Sequence, residues 1–161
     1  MERQGWKVLS FDVPGMELRG TKDGRTTRAT YGRKLENGEG EVKINVIIKS
    51  WLAIDTYESK FREEKTLARA SGETRLRKDI DIPGASKVLC YTGTEPYDSE
   101  VVILFTKDFR CQLVVTTSPE ATAKAQLEPT YQQLIATLNM RGINPIAPIR
   151  IESQSESDDD S

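Results

Sequence analysis

The strongest nucleophiles in this sequence are two cysteines, Cys90 and Cys111, and no histidine accompanies them. Without histidine the chain lacks the usual general base near neutral pH, the Ser-His-Asp and Cys-His arrangements, and histidine-ligated zinc or iron. The two cysteines also form no CxxC pair. We therefore predict that both thiols are small buried hydrophobic groups, and that the chain has no catalytic, cofactor-binding or metal-binding residues.

Asp79 and Asp81 are the one carboxylate pair whose spacing suggests a site. They fall on the same face of a predicted strand, a geometry that could hold a cation or serve as an acid and base pair. The basic residues of the stretch 75–78 lie beside them and would neutralise them on an exposed face. We interpret the group as a solvated ladder of charges. A histidine-free enzyme that uses Asp79, Asp81 or Cys90 stays open as a third functional hypothesis.

A basic stretch between Glu17 and Lys34 is the best candidate for a binding surface. Such a patch can bind phosphate, an acidic protein or nucleic acid, or it can simply be a solvated surface. Only one aromatic residue, Tyr31, is interleaved with the charges, too few for a platform that stacks bases, so nucleic acid is disfavoured. The candidate partner-binding residues are Arg19, Lys22, Arg25, Arg28, Arg33 and Lys34.

The charge distribution separates a mildly basic body from an acidic tail. Residues 151–161 carry five acids and no base, which leaves residues 1–150 with 23 basic and 20 acidic residues. We expect one domain at residues 1–145 and a disordered acidic tail at 146–161, because a run of serines and acids cannot bury enough surface to fold. The tail could solubilise the protein, screen its own basic face or be phosphorylated by an acidophilic kinase.

The first half of the chain predicts strands, a hairpin and a helix. Residues 6–13 should form a strand, while residues 16–28 indicate a loop or a ragged strand. Asn37-Gly38 supplies the turn of a hairpin whose second strand, residues 41–49, alternates apolar and polar positions and should have one wet face. Asp55 and Glu58 resemble a capping box at the start of a helix that stops at Ser71-Gly72.

The second half predicts four strands and a terminal helix. Residues 74–82 show a period of two, and "VVILF" at 101–105 is apolar at every position, which requires cover on both faces of the sheet. A turn at residues 107–108 would place Cys111 opposite Leu104 and Cys90 opposite Phe105, too far apart for a disulfide. A helix should start at Ser118-Pro119 and be kinked or divided at Pro129.

This order of elements resembles the PsbP-like superfamily, which includes the extrinsic PsbP protein of photosystem II, a Ran-binding nuclear-import factor and DcrB-type proteins. The resemblance spans about residues 5–141 and rests on "FDVP", "EVKINVIIKSW", "DTYESKFREEKTLA", the meander "ASKVLCYTGTEPYDSEVVILFTKDFRCQLVVTTSPE" and the closing helix "LEPTYQQLIATLNM". It implies an α+β fold, an α/β/α sandwich around a central antiparallel sheet, and a non-enzymatic role. It carries over no functional residues, and the chain shows neither a transit segment nor a lipobox cysteine.

The functional expectation is a non-enzymatic protein-binding or adaptor module that uses the basic stretch to hold an acidic protein partner. The alternative is a chaperone or carrier that binds an apolar segment or a small lipid in a groove between sheet and helix. No cofactor is expected. No apolar run reaches the length of a bilayer span. A cytoplasmic location follows if Met1 is the native start, and otherwise an exported or envelope location after removal of a leader.

Overall fold

The described elements follow the predicted order of strands, a helix, four strands and a terminal helical segment. The computed structural model describes residues 17–23, 26–50, 56–94, 96–107 and 109–140. The predicted strand at 6–13, Arg25, Asp55 and the tail at 146–161 lie outside these residues. The strands are β1 (Glu17–Asp23), β2 (Thr26–Lys34), β3 (Glu41–Ser50), β4 (Thr74–Leu76), β5 (Lys87–Gly93), β6 (Ser99–Phe105) and β7 (Phe109–Thr117), and the helices are α1 (Tyr57–Ala70), α2 (Ala121–Lys124) and α3 (Leu127–Thr137).

All seven strands form one antiparallel sheet in the order β1-β2-β3-β7-β6-β5-β4. The predicted α+β class is therefore confirmed for the described residues. Each half of the sheet is a meander of sequential neighbours, and the two halves meet where β3 pairs with β7, with Val46 opposite Leu113. β7 is the central strand, with β3 and β6 on either side, and β1 and β4 form the edges.

Two apolar layers explain why residues 101–105 of β6 are all apolar. Val102 and Leu104 pack in the larger cluster, which contains Tyr131 and Leu134 of α3. Val101, Ile103 and Phe105 belong to a second cluster with Tyr57 and Phe61 of α1 packed against it. Because side chains alternate along a strand, α1 and α3 cover opposite faces of the sheet. All seven residues of β6 are buried in consequence.

The β2–β3 hairpin is confirmed, and a strand replaces most of the ragged segment before it. β1 pairs with β2 along its whole length, from Glu17 opposite Gly32 to Asp23 opposite Thr26. The hairpin connection contains a 3-10 turn at Glu36–Gly38 and ends at Gly40. A Cβ on Gly40 would lie 2.6 Å from Ser118 Oγ and 2.7 Å from the Ala123 side chain, so only glycine fits where the hairpin meets α2.

The helix boundaries differ by a few residues from the predicted ones. The N-cap of α1 is Thr56, whose hydroxyl accepts a hydrogen bond from Ser59 N at 3.2 Å, one residue after the predicted cap. The terminal helix is divided, as predicted, between α2 and α3. The break falls at residues 125–126 because the ring of Pro129 clashes with the carbonyl four residues earlier, at Ala125. Ser118 does not cap a helix, since its Oγ accepts from Glu41 N at 2.7 Å.

The strand predicted at 74–82 is wrong beyond Leu76. Arg77 N still donates to Cys90 O at 2.9 Å, and the chain then leaves the sheet. Leu76 packs in the α1 cluster, whereas Ile80 and Ile82 pack in the α3 cluster. The predicted apolar face of this strand is thus divided between two layers, because Ile80 and Ile82 help to close the core beside α3.

The cysteines lie on strands that β6 separates, as predicted, but their register differs. Cys111 is opposite Leu104, whereas Cys90 is opposite Val102 rather than Phe105. The β5–β6 connection begins only after Gly93, which pairs with Ser99, and this sets the register of the whole β5–β6 pair. Both thiols are free and buried.

Candidate functional site

The sheet face that carries α1 is uncovered over β2 and β3 among the described residues. Val42, Ile44, Val46 and Ile48 of β3 point to the opposite face and are buried in the α3 cluster. The alternate positions of β3 therefore share a face with Val114 of β7, which packs in the α1 cluster. The exposed cations on this open half, which we term the basic sheet face, are Arg28 and Lys34 of β2 and Lys43 and Lys49 of β3.

The basic sheet face also contains the half-buried Asn45, Ile47 and Glu41 of β3 and Thr30 of β2. Thr30 Oγ1 donates to Asn45 Oδ1 at 3.0 Å across the two strands. Lys43 Nζ and Glu41 Oε1 form a loose ion pair on this face, 3.9 Å apart. At the border with α1, Arg110 forms a two-pronged pair with Glu64, at 2.7 and 2.6 Å, which neutralises that arginine.

The six residues proposed from the sequence do not form one patch. Arg28 and Lys34 lie on the basic sheet face. Arg33 points to the other face, where its Nη2 donates to Gln126 Oε1 at 3.5 Å. The backbone register places Arg19 opposite Thr30 and Lys22 opposite Thr27, and Arg25 lies outside the described residues. Lys43 and Lys49 join the face because the wet side of β3, predicted from alternation, is on the same surface.

A second constellation centres on Arg77, which was not among the candidate binding residues predicted from the sequence. The Arg77 guanidinium carbon lies 4.0 Å from the ring centroid of Tyr131, a buried residue of α3. Its Nη1 donates to Oε1 of the buried Glu100 at 2.7 Å, and Thr92 Oγ1 donates to the same oxygen at 2.8 Å. Both terminal nitrogens of Arg77 also donate to Glu128, Nη1 to Oε1 and Nη2 to Oε2, each at 2.7 Å. Arg77 thus bridges a buried carboxylate and a surface one.

A cleft of about 590 Å³ opens beside this arginine, between α3 and the β4 edge of the sheet. We term it the Arg77 cleft. Its lining mixes charged residues with apolar ones and comprises Arg75, Leu76, Arg77, Lys78, Ile80, Thr92, Glu100, Glu128, Tyr131, Gln132 and Ile135. It has the volume of a small-molecule site, with a guanidinium fixed in its wall.

The electrostatics of the cleft follow from this network. The hydrogen bonds from Arg77 lower the pKa of Glu128, and those that Glu128 and Glu100 accept raise the pKa of Arg77. Burial raises the pKa of Tyr131, and its hydrogen bond with Cys90 raises it further. At neutral pH the cleft therefore holds a permanent cation, ionised Glu128 and a neutral phenol.

The carboxylate pair of the third hypothesis does not form a site. Asp79 and Asp81 are exposed and lie outside any strand, and Asp79 is 3.9 Å from Lys65 Nζ. Within the described residues no three His, Cys, Asp or Glu side chains come close enough to hold a metal ion. No described helix is both long and apolar enough to cross a bilayer.

We expect neither thiol to act as a nucleophile in the folded protein. Burial raises the pKa of both Cys90 and Cys111, so little thiolate forms at neutral pH. Under native conditions, labelling by a disulfide reagent such as DTNB should be at least about a hundredfold slower than in concentrated guanidinium chloride. A native thiol that reacts as fast as in the unfolded chain would contradict this and favour the enzyme hypothesis.

Comparisons with family models, with curated proteins and with solved structures found no match to this chain. The two surfaces, the basic sheet face and the Arg77 cleft, are therefore interpreted from their own residues.

Proposed function

We propose that this protein is a non-catalytic binding or adaptor module that holds an acidic protein partner on its basic sheet face. The observation that carries the proposal is the open half of the sheet over β2 and β3. Among the described residues, four exposed cations share that surface, and the main contacts of α1 are with β4 and β5. A surface of one charge sign raises the association rate of an oppositely charged partner and discriminates against others.

The composition of the face favours a protein over single-stranded nucleic acid. Its described positions on β2 and β3 carry no aromatic side chain, and Tyr31 packs against the α3 cluster on the opposite face. Bases would therefore lack the rings on which they stack. Carboxylates of a partner protein need only the cations and the side-chain N–H groups of Asn45, whose Oδ1 accepts from Thr30.

A pull-down from an extract of the source cells tests the proposal. The immobilised wild type is compared with a variant that carries Arg28→Glu, Lys43→Glu and Lys49→Glu. Partner recovery should fall about tenfold at low salt in this variant, and wild-type recovery should fall between low and moderate salt, because the attraction is screened.

The matched control reverses three exposed cations away from β2 and β3: Arg62, Lys107 and Lys124. It has the same net charge as the face variant, so it should recover the partner as well as wild type does. Equal recovery by the face variant and the wild type would sink the assignment of this surface.

We also propose that the fold is of the PsbP-like type. Support comes from the order of elements and from the placement of one helix on each face of an antiparallel sheet. The members of that superfamily bind and stabilise other macromolecules, which agrees with an adaptor role.

A carrier for an apolar segment or small lipid is the second candidate function. A groove of about 270 Å³ between α1 and β5 favours it, with Ala68, Leu89, Tyr91 and the 64% exposed Leu67 in or at its walls. The groove is below the size typical of small-molecule sites, which run from about 300 to 1,000 Å³, so the adaptor function has the stronger support.

A further inference from the structure

The Arg77 cleft has the features of a ligand site that is separate from the basic sheet face. It lies on the α3 side of the sheet, whereas the basic sheet face is on the α1 side. Arg77 is held there by two interactions that a ligand need not disturb. Its guanidinium stacks on the buried ring of Tyr131, and its Nη1 is bound to the buried Glu100. Such support fixes a guanidinium before any ligand arrives.

The outer side of Arg77 is bound by a group that can leave. The Glu128 side chain is 51% exposed, whereas that of Glu100 is 7% exposed. Departure of Glu100 would leave a buried charge unpaired, but Glu128 can turn into solvent at little cost. Gln132 Nε2, 2.6 Å from Glu128 Oε2, can hold Glu128 after it turns away. Glu128 is therefore the exchangeable partner of the arginine.

The rest of the lining indicates what would replace Glu128. The planar fork of Arg77 matches a carboxylate, which is the group that occupies it now. Arg75 and Lys78 add two cations to the lining. Ile80 and Ile135, which pack against the α3 cluster, supply apolar surface next to the charges. A cationic ligand would fit the cleft poorly, because its two acids, Glu100 and Glu128, are already paired with Arg77.

We propose that the Arg77 cleft binds a carboxylate attached to an apolar body, and that Glu128 occupies the Arg77 fork until this ligand displaces it. The carboxylate takes the two outer N–H groups of Arg77, and its body packs on the apolar residues of the cleft. The same chemistry describes a free small acid and the terminal carboxylate of a peptide with an apolar last residue.

The test is an NMR titration of the full chain with N-acetyl-leucine, followed through the amide signals of residues around the cleft. Wild type should bind it, and N-acetyl-leucinamide, which lacks the charge, should bind about tenfold more weakly. Glu128→Ala should bind the acid about five- to tenfold more tightly than wild type, because the internal competitor is gone.

Glu63→Ala is the matched control, since it removes an exposed acid from α1 on the opposite face of the sheet. It should bind the acid as wild type does. The absence of binding in both wild type and Glu128→Ala would overturn the proposal, and so would a Glu128→Ala affinity no higher than that of the control. A tetrapeptide with a free C-terminal leucine distinguishes the sources: tighter binding than the free acid assigns the site to chain ends, and equal or weaker binding to small acids.

Discussion

Replacement of Arg77 by methionine should lower the free energy of unfolding by about 3–5 kcal/mol. Methionine retains much of the side-chain volume over Tyr131 but removes the cation that pairs with the buried Glu100, 2.7 Å away. The remaining partner of that carboxylate is Thr92 Oγ1 at 2.8 Å, which does not compensate a buried negative charge. Urea or guanidinium denaturation, with the unfolding free energy extrapolated to water, measures the loss.

Two further variants show whether the loss comes from the buried charge. Arg75→Met removes an exposed cation two residues away and should change the stability by no more than about 0.5 kcal/mol. The double variant Arg77→Met/Glu100→Gln replaces the buried carboxylate by a neutral amide, and it should be at least about 1 kcal/mol more stable than Arg77→Met alone. If Arg77→Met costs no more than Arg75→Met, the network does not hold the cleft together.

The central sheet was predictable because its signals are strong and local. The unbroken apolar run of β6 requires cover on both faces, and α1 and α3 provide it. Pro129 divides the terminal helix because its ring acts on a carbonyl at a fixed distance along the chain. Such effects depend on neighbours within a few residues, which the sequence displays directly.

The edges and the clefts were less predictable because tertiary contacts decide them. β1 contains Gly20, Lys22 and Asp23, residue types that are depleted in strands, yet it pairs fully with β2. Residues 77–82 have the period of a strand but leave the sheet, because Ile80 and Ile82 complete the α3 cluster. In both cases packing overrides the local pattern.

The candidate sites also differ in whether local sequence or tertiary contacts determine them. The wet face of β3 was visible in the alternation of Lys43, Asn45 and Lys49, and this part of the basic sheet face follows from period alone. The Arg77 network joins the end of β4 to β5, β6 and α3, and Arg77 and Glu128 are 51 positions apart in the sequence. The available signal was one acid, Glu100, within β6 and directly before the apolar run 101–105. A charge next to such a run predicts a buried partner, although not which one.

Phe105→Ala should be the most destabilising single change in the α1 layer, with a loss of about 3–5 kcal/mol in the free energy of unfolding. Phe105 is fully buried at the end of β6, and its ring meets that of Phe61 edge to face, with centroids 5.5 Å apart and planes at 85°. The α1 cluster contains only four buried residues, so few neighbours can fill the cavity. Chemical denaturation gives the loss, and hydrogen exchange of α1 amides shows whether that helix opens first.

The control for this prediction is Leu67→Ala, which also truncates an apolar side chain but on the exposed side of α1. Leu67 is 64% exposed, so its truncation should cost no more than about 0.5 kcal/mol. A double-mutant cycle with Phe61→Ala should give a coupling of about 0.5–1.5 kcal/mol for the ring pair.

The Phe105→Ala variant should still bind the partner on the basic sheet face at temperatures where the sheet remains folded, because β3 packs in the α3 cluster. A Phe105→Ala loss below about 1 kcal/mol would mean that α1 does not depend on this ring and that the two layers are not separate supports of the sheet.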